Sequence, residues 1–162
     1  MPDLKSEIAQ SAPFSSVEEE AILNLVRTSD FLQRGFQQKL RGWGLTMTQY
    51  NVLRILRGAR PQGLPCAAIG ARMVTAEPDI TRLLARLNRL KLIRRHRDRQ
   101  DRRMVWTQIS DAGMNLLRSI DPIVQRIPVE LLGHMKGADL KRMIRLLELA
   151  RQPCRQAGTP KQ

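Results

Sequence analysis

A chain of 162 residues, 42% of them hydrophobic, is long enough for one compact core and short for two independent ones. Its 28 Lys and Arg against 15 Asp and Glu leave a formal net charge of +13, which favours an anionic partner, either nucleic acid or an acidic membrane surface. No apolar run approaches the roughly 20 residues of a membrane span, and the N-terminus lacks a basic, apolar, small-residue leader pattern, so a cytoplasmic location and no membrane partner are expected.

Residues 1–13 have no sustained period and read, with the polar tail 152–162, as flexible ends. Ser16 followed by Glu19 is a capping box, and Ile22, Leu25, Val26, Leu32, Phe36 and Leu40 keep helical spacing, which predicts a long helix over 16–41. Gly42-Trp43-Gly44 ends it. Thr46 and Gln49 form a second capping signal ahead of Tyr50, Leu53 and Leu56, and a turn-rich stretch follows from Gly58 to Pro65.

A short helix is expected over Cys66–Met73, with Ile69 and Met73 turned inward. Glu77-Pro78 then opens a further helix, because proline suits a first helical turn and acids there, including Asp79, complement the helix dipole. Its Ile80, Leu83, Leu84, Leu87 and Leu90 form one stripe, and Arg82, Arg86 and Arg89 share the opposite face. Leu92–His96 and Met104–Ile109 read as two strands around a polar turn, Arg97–Arg103. Ser110 caps a last helical region, 110–151, which Pro122 and Pro128 bend or interrupt before a final helix near Gly137 that carries Leu140, Ile144, Leu147 and Leu149.

The charge is unevenly placed. Residues 1–30 hold six acids and two bases, whereas Arg82 to Arg103 holds ten bases against Asp98 and Asp101. Two helices, a turn, a basic helix and a basic hairpin make a winged helix-turn-helix over 46–109. The fold class is mainly α with a small β-hairpin wing (α+β), in a single domain flanked by N- and C-terminal helices over 16–41 and 110–151. In that arrangement a helix enters the major groove and a two-stranded ribbon reaches neighbouring phosphates or the minor groove. A membrane-surface protein would need large apolar groups on the same face, and here the leucines of the basic helix serve the core. The long flanking stripes have too few partners inside one subunit, which points to a homodimer, with a larger monomeric helical core as the alternative.

Other chemistries find little support. Cys66 and Cys154 are far apart and form neither a disulfide framework nor, with His96 and His134, a metal motif; no metal and no cofactor are expected. There is no Gly-rich phosphate loop and no nucleophile motif, so an enzyme is not expected.

Pro78 to Leu87, Leu92-Ile93-Arg94-Arg95, Asp98-Arg99-Gln100-Asp101-Arg102-Arg103 and Ile109-Ser110-Asp111-Ala112-Gly113 together resemble the signature of the MarR (multiple antibiotic resistance regulator) family. Gly44-Leu45-Thr46, Gln49-Tyr50 and Leu53 extend the likeness over about residues 16–150. The resemblance implies a dimeric transcriptional regulator on a pseudo-palindromic double-stranded operator, a repressor released by a small aromatic or phenolic effector. It places DNA contacts at Asp79, Thr81, Arg82 and Arg86 of the basic helix and at Arg102 or Arg103 of the wing, with Asp101 holding an arginine fork. It also places an effector near Trp43, Met47 and Tyr50, for which ordinary packing is the alternative. Two further alternatives are non-specific nucleic-acid binding through the same winged domain and redox sensing through Cys66, whose thiol stands at a helix start.

Overall fold

The computed structural model describes residues 3–98 and 101–152. Arg99 and Gln100 of the wing motif, Cys154 and the tail from residue 153 lie outside the described residues. In chain order the elements are α1 (Leu4–Glu7), α2 (Val17–Leu40), a 3-10 turn (Arg41–Trp43), α3 (Met47–Gly58), β1 (Leu64–Pro65), α4 (Cys66–Gly70) and α5 (Ile80–Arg89). Then follow β2 (Ile93–Arg97), β3 (Val105–Ile109), α6 (Asp111–Val124), α7 (Ile127–Leu132) and α8 (Gly137–Ala150). The chain divides into two compact units between Gln125 and Arg126, α1 to α6 in the first and α7 with α8 in the second. This is the mainly helical architecture with a small antiparallel sheet that the sequence predicts.

In the first unit the core gathers on α3, whose Val52, Leu53 and Leu56 are fully buried, together with Leu40, Ile69, Leu84, Leu87, Ile93, Leu117 and Ile120. The apolar spacing on each helix turns one face to this core, and burial of such side chains contributes about 1.5–3 kcal/mol apiece against the entropy of ordering them. Helix α3 starts on a complete capping box: Thr46 accepts from the Gln49 N–H at 3.1 Å while Gln49 Oε1 accepts from the Thr46 N–H at 3.0 Å. The box on α2 is half of that. Ser16 Oγ accepts from the Glu19 N–H, but the Glu19 carboxylate turns to the N–H and hydroxyl of Ser15, which hold it below the usual glutamate range.

The sheet order is β1-β3-β2, antiparallel throughout, with Ile93 opposite Ile109 and Arg97 opposite Val105. Strand β1, two residues inside the stretch expected to be all turn, pairs Leu64 with Thr107. Gly63 precedes it at φ +80°, and a Cβ there would lie 2.3 Å from the Thr107 carbonyl oxygen, so a side chain is excluded on two counts. Gly113 in α6 excludes a side chain by close approach alone: a Cβ would meet the Leu92 carbonyl oxygen at 2.2 Å. Ser110 seals that junction, its hydroxyl donating to the Lys91 carbonyl at 2.7 Å and accepting from the Gly113 N–H at 3.0 Å.

Several boundaries differ from the sequence reading. The N-terminal segment is not wholly an arm: Asp3 caps the one-turn helix α1, Leu4 is buried, and Glu7 pairs with Arg27 of α2 at 3.6 Å. Helix α4 stops at Gly70, three residues before Met73. Glu77 and Pro78 precede α5 instead of opening it, because Asp79 takes the N-cap, its Oδ1 accepting from the Arg82 N–H at 2.9 Å. Pro122 lies inside α6, which ends two residues later at Val124; Pro128 sits in the first turn of α7, where its missing N–H costs no helical bond.

Helix α2 buries only Leu40 fully, while Ile22, Leu25 and Val26 stay exposed. In the second unit α8 buries no residue, and Ile144, Leu146 and Leu149 are exposed. No described helix is long and apolar enough to cross a membrane.

Candidate nucleic-acid interface

Helix α5 is a platform with two faces. Leu84 and Leu87 are fully buried, and Thr81, Arg82, Ala85, Arg86 and Arg89 are exposed on the other side. The separation follows from the spacing alone, since residues four apart share a face and residues two apart do not. Asp79, expected to touch DNA, has its carboxylate oriented on the helix's own first turn as the N-cap. Glu77 is half-buried, and its carboxylate faces the Asp79 N–H at 3.5 Å. The turn before α5 is held from below: Asn51 of α3 accepts from the Val74 N–H at 3.0 Å.

The wing is built differently, from carboxylates bonded to main-chain donors. Asp98 Oδ1 accepts from the Asp101 N–H at 3.0 Å, and its Oδ2 accepts from the Trp106 indole Nε1–H at 2.9 Å. The main chain closes the loop twice, Asp98 N–H to the Met104 carbonyl and Met104 N–H to the Asp101 carbonyl, both at 2.9 Å. Asp101 does not hold a guanidinium among the described residues; its Oδ1 accepts from the Arg103 N–H at 2.9 Å. The geometry explains this correction, because a short side chain two residues back reaches an amide more readily than the end of a long one. Arg102 and Arg103 themselves are exposed. All three aspartates between 79 and 101 thus accept main-chain N–H groups.

The residues expected around an effector are only partly brought together. Trp43 lies in the 3-10 turn, about one-third exposed; Met47 opens α3 half-buried; Tyr50 is buried. Among the described residues the aromatic partner of Tyr50 is Phe36 of α2, with ring centres 6.0 Å apart, and not Trp43. The Arg54 guanidinium stands 5.9 Å from the Tyr50 ring, and Arg57 donates to Asp121 of α6 at 2.7 Å. Burial pushes the Tyr50 hydroxyl above the ordinary tyrosine value, opposed by the charge on Arg54. Gln37 pins the same corner, donating to the Leu45 carbonyl at 3.0 Å and accepting from the Met47 N–H at 2.9 Å.

Arg54 and Arg57 stand four and seven residues after Tyr50, a helical signal open to sequence reading. Asp121 lies 64 residues beyond Arg57 in the chain and carries no such signal. A cleft of about 140 Å³ is lined instead by Leu56, Arg60, Pro61, Gly63, Gln108 and Ile109. Cys66 is half-buried at the first position of α4. Among the described residues no group of three His, Cys, Asp or Glu gathers as a metal site would require.

The MarR family model matches residues 43–104, from the turn before α3 to the end of the wing loop. A crystal structure of a MarR transcription factor from Planctomyces limnophilus is 37% identical, covers 85% of this chain and 99% of its own, and superposes with a TM-score of 0.65. The transcriptional regulator HosA of Escherichia coli O111:H- is 27% identical over 72% of this chain and 88% of its own length. Bordetella bronchiseptica BpsR, whose DNA binding is regulated by 6-hydroxynicotinic acid, has the same fold at 22% identity, with a TM-score of 0.75 over 87% of this chain and 99% of its own.

Proposed function

We propose a function from one premise: this chain belongs to the MarR family of winged-helix, DNA-binding transcriptional regulators, which are not enzymes. On that premise it acts as a homodimer that reads a pseudo-palindromic operator and represses transcription by occupying it. The observation that carries this reading is the exposure of Arg82 and Arg86 on α5 beside a wing in which Asp98 and Asp101 accept main-chain N–H groups and Arg102 and Arg103 are exposed. Arginine on a helix in the major groove can bind guanine O6 and N7 with both arms of its fork, and Thr81 can meet a base or a phosphate. Arg102 and Arg103 reach the flanking minor groove or its phosphates.

Two apolar faces support the dimer. Ile22, Leu25 and Val26 on α2, and Ile144, Leu146 and Leu149 on α8, are each uncovered within their own unit, and a two-fold partner would remove them from water. Selection of bound duplexes from random DNA tests the reading. The expected result is a symmetric pair of half-sites about 10 base pairs apart, as two-fold helix-turn-helix dimers require. Recovery of no preferred sequence would favour non-specific nucleic-acid binding in its place.

The corner of Phe36, Tyr50 and Arg54 supports an aromatic or phenolic acid as effector, since its aromatic packing is flanked by the exposed Arg54, whose guanidinium can take a carboxylate. Tyr50 is the chain's single tyrosine, so phenolate absorbance reports it alone. The expected midpoint lies above the ordinary 10.0 in the folded protein and returns to it in denaturant. The unfolded chain ionises first, so this group's contribution to stability is intact below about pH 10 and declines as pH rises through the folded value. Bound benzoate, adding negative charge nearby, is expected to raise the midpoint further; an unchanged midpoint at saturation counts against this corner as the effector site.

A further inference from the structure

Trp106 is the large side chain in the hairpin that the DNA-binding surface leaves without a role. It sits in β3 opposite His96 and is half-buried, and its indole Nε1–H ends on Asp98 Oδ2 at 2.9 Å. We propose that Trp106 is a positioning residue for the wing, acting on DNA only through Asp98 and Asp101 and, through them, Arg102 and Arg103. The proposal rests on the DNA-binding reading above and adds to it a residue that does not itself touch DNA.

A line of acceptors runs from the strand to the arginines. Trp106 donates to one oxygen of Asp98, the other oxygen takes the Asp101 N–H at 3.0 Å, and Asp101 takes the Arg103 N–H at 2.9 Å. The main chain closes the loop at Met104, and among the described loop residues Asp101, Arg102, Arg103 and Met104 are all exposed, so these carboxylate bonds, with that closure, order the part that carries Arg102 and Arg103. A carboxylate with one oxygen tethered has a fixed direction for the second, and that direction decides whether the Asp101 amide closes the turn. The bond is charge-assisted and part-buried, which makes it one of the stronger contacts available to a surface loop. Phenylalanine at this strand position would keep the strand and most of the packing but would remove the donor.

The test measures affinity for a duplex carrying the selected site, in four proteins beside the original. Trp106→Phe is expected to bind about tenfold more weakly, because the ordered loop becomes a fraction of the population, with unfolding midpoint and sedimentation unchanged. The decisive arm repeats the substitution in Arg102→Ala/Arg103→Ala, where removing the indole should cost nothing more. Asp98→Asn, which needs no change to the strand, should reproduce the loss and shift the indole N–H resonance of Trp106 but not that of Trp43, the only other tryptophan. Unchanged affinity of both Trp106→Phe and Asp98→Asn overturns the proposal, as does a loss from Trp106→Phe that persists without the arginines, which would give the indole its own DNA contact. If Arg102→Ala/Arg103→Ala binds as the original protein does, the wing's part in the proposed function falls with it; loss there but none in Trp106→Phe defeats the positioning role alone.

Discussion

Helix α5 and the wing present the same residue type by opposite means. The helix holds its arginines outward by burying the face behind them, with Leu84 and Leu87 fully removed from water. The wing leaves Asp101, Arg102, Arg103 and Met104 exposed and holds Arg102 and Arg103 through a succession of hydrogen bonds to carboxylates that begins at the indole of Trp106. An arginine on the helix is therefore placed by the whole core, whereas one on the wing is placed, among the described residues, by the side chains of Trp106, Asp98 and Asp101 and the main-chain bonds at Met104. Stability and DNA affinity should separate along that line, both failing together when the helix is damaged and affinity failing alone when the wing is.

The largest expected effect is on the helix. Leu87→Ala leaves a cavity in the core and should lower the free energy of unfolding by about 3 kcal/mol, measured by denaturant titration. A loss below about 1 kcal/mol would mean that the platform is not what positions Arg82 and Arg86. A smaller and more pointed contrast compares two aspartates with the same local bond. Asp79→Ala removes an N-cap from a helix that carries core residues and should cost about 1 kcal/mol of stability. Asp101→Ala removes an equivalent acceptor from the wing and should leave the unfolding curve within about 0.5 kcal/mol of the original while weakening DNA binding. Equal stability losses in the two variants would erase the distinction between the regions.

The helix side of this comparison was legible in the sequence, and the wing side largely was not. Leucines at 83, 84, 87 and 90 with arginines at 82, 86 and 89 admit one helical solution, and of those expected in the core only Leu90, at the C-cap, is exposed. Asp79 is placed at DNA by the resemblance, and the spacing sets it in the first turn of the helix; which main-chain N–H its carboxylate takes, that of Arg82, is fixed only by the cap geometry. The hairpin strands followed from β-branched and aromatic content, but the direction of Asp98 and Asp101 depends on loop dihedrals that no spacing encodes. The two-residue strand β1 was hidden among turn residues, and only its pairing with β3 makes it a strand. The Arg57–Asp121 pair belongs to the same class, a contact made by the assembled fold between segments far apart in the chain.

The central claim is that α5 and the wing form one DNA-reading surface on a dimer, and equilibrium binding of Arg82→Ala and Arg103→Ala to a selected operator tests it most directly. Each variant should bind about tenfold or more weakly, in keeping with roughly 1–3 kcal/mol for a good arginine contact, while sedimenting as the same dimer as the original protein. Operator binding by both variants at the original affinity would contradict the assignment of this surface.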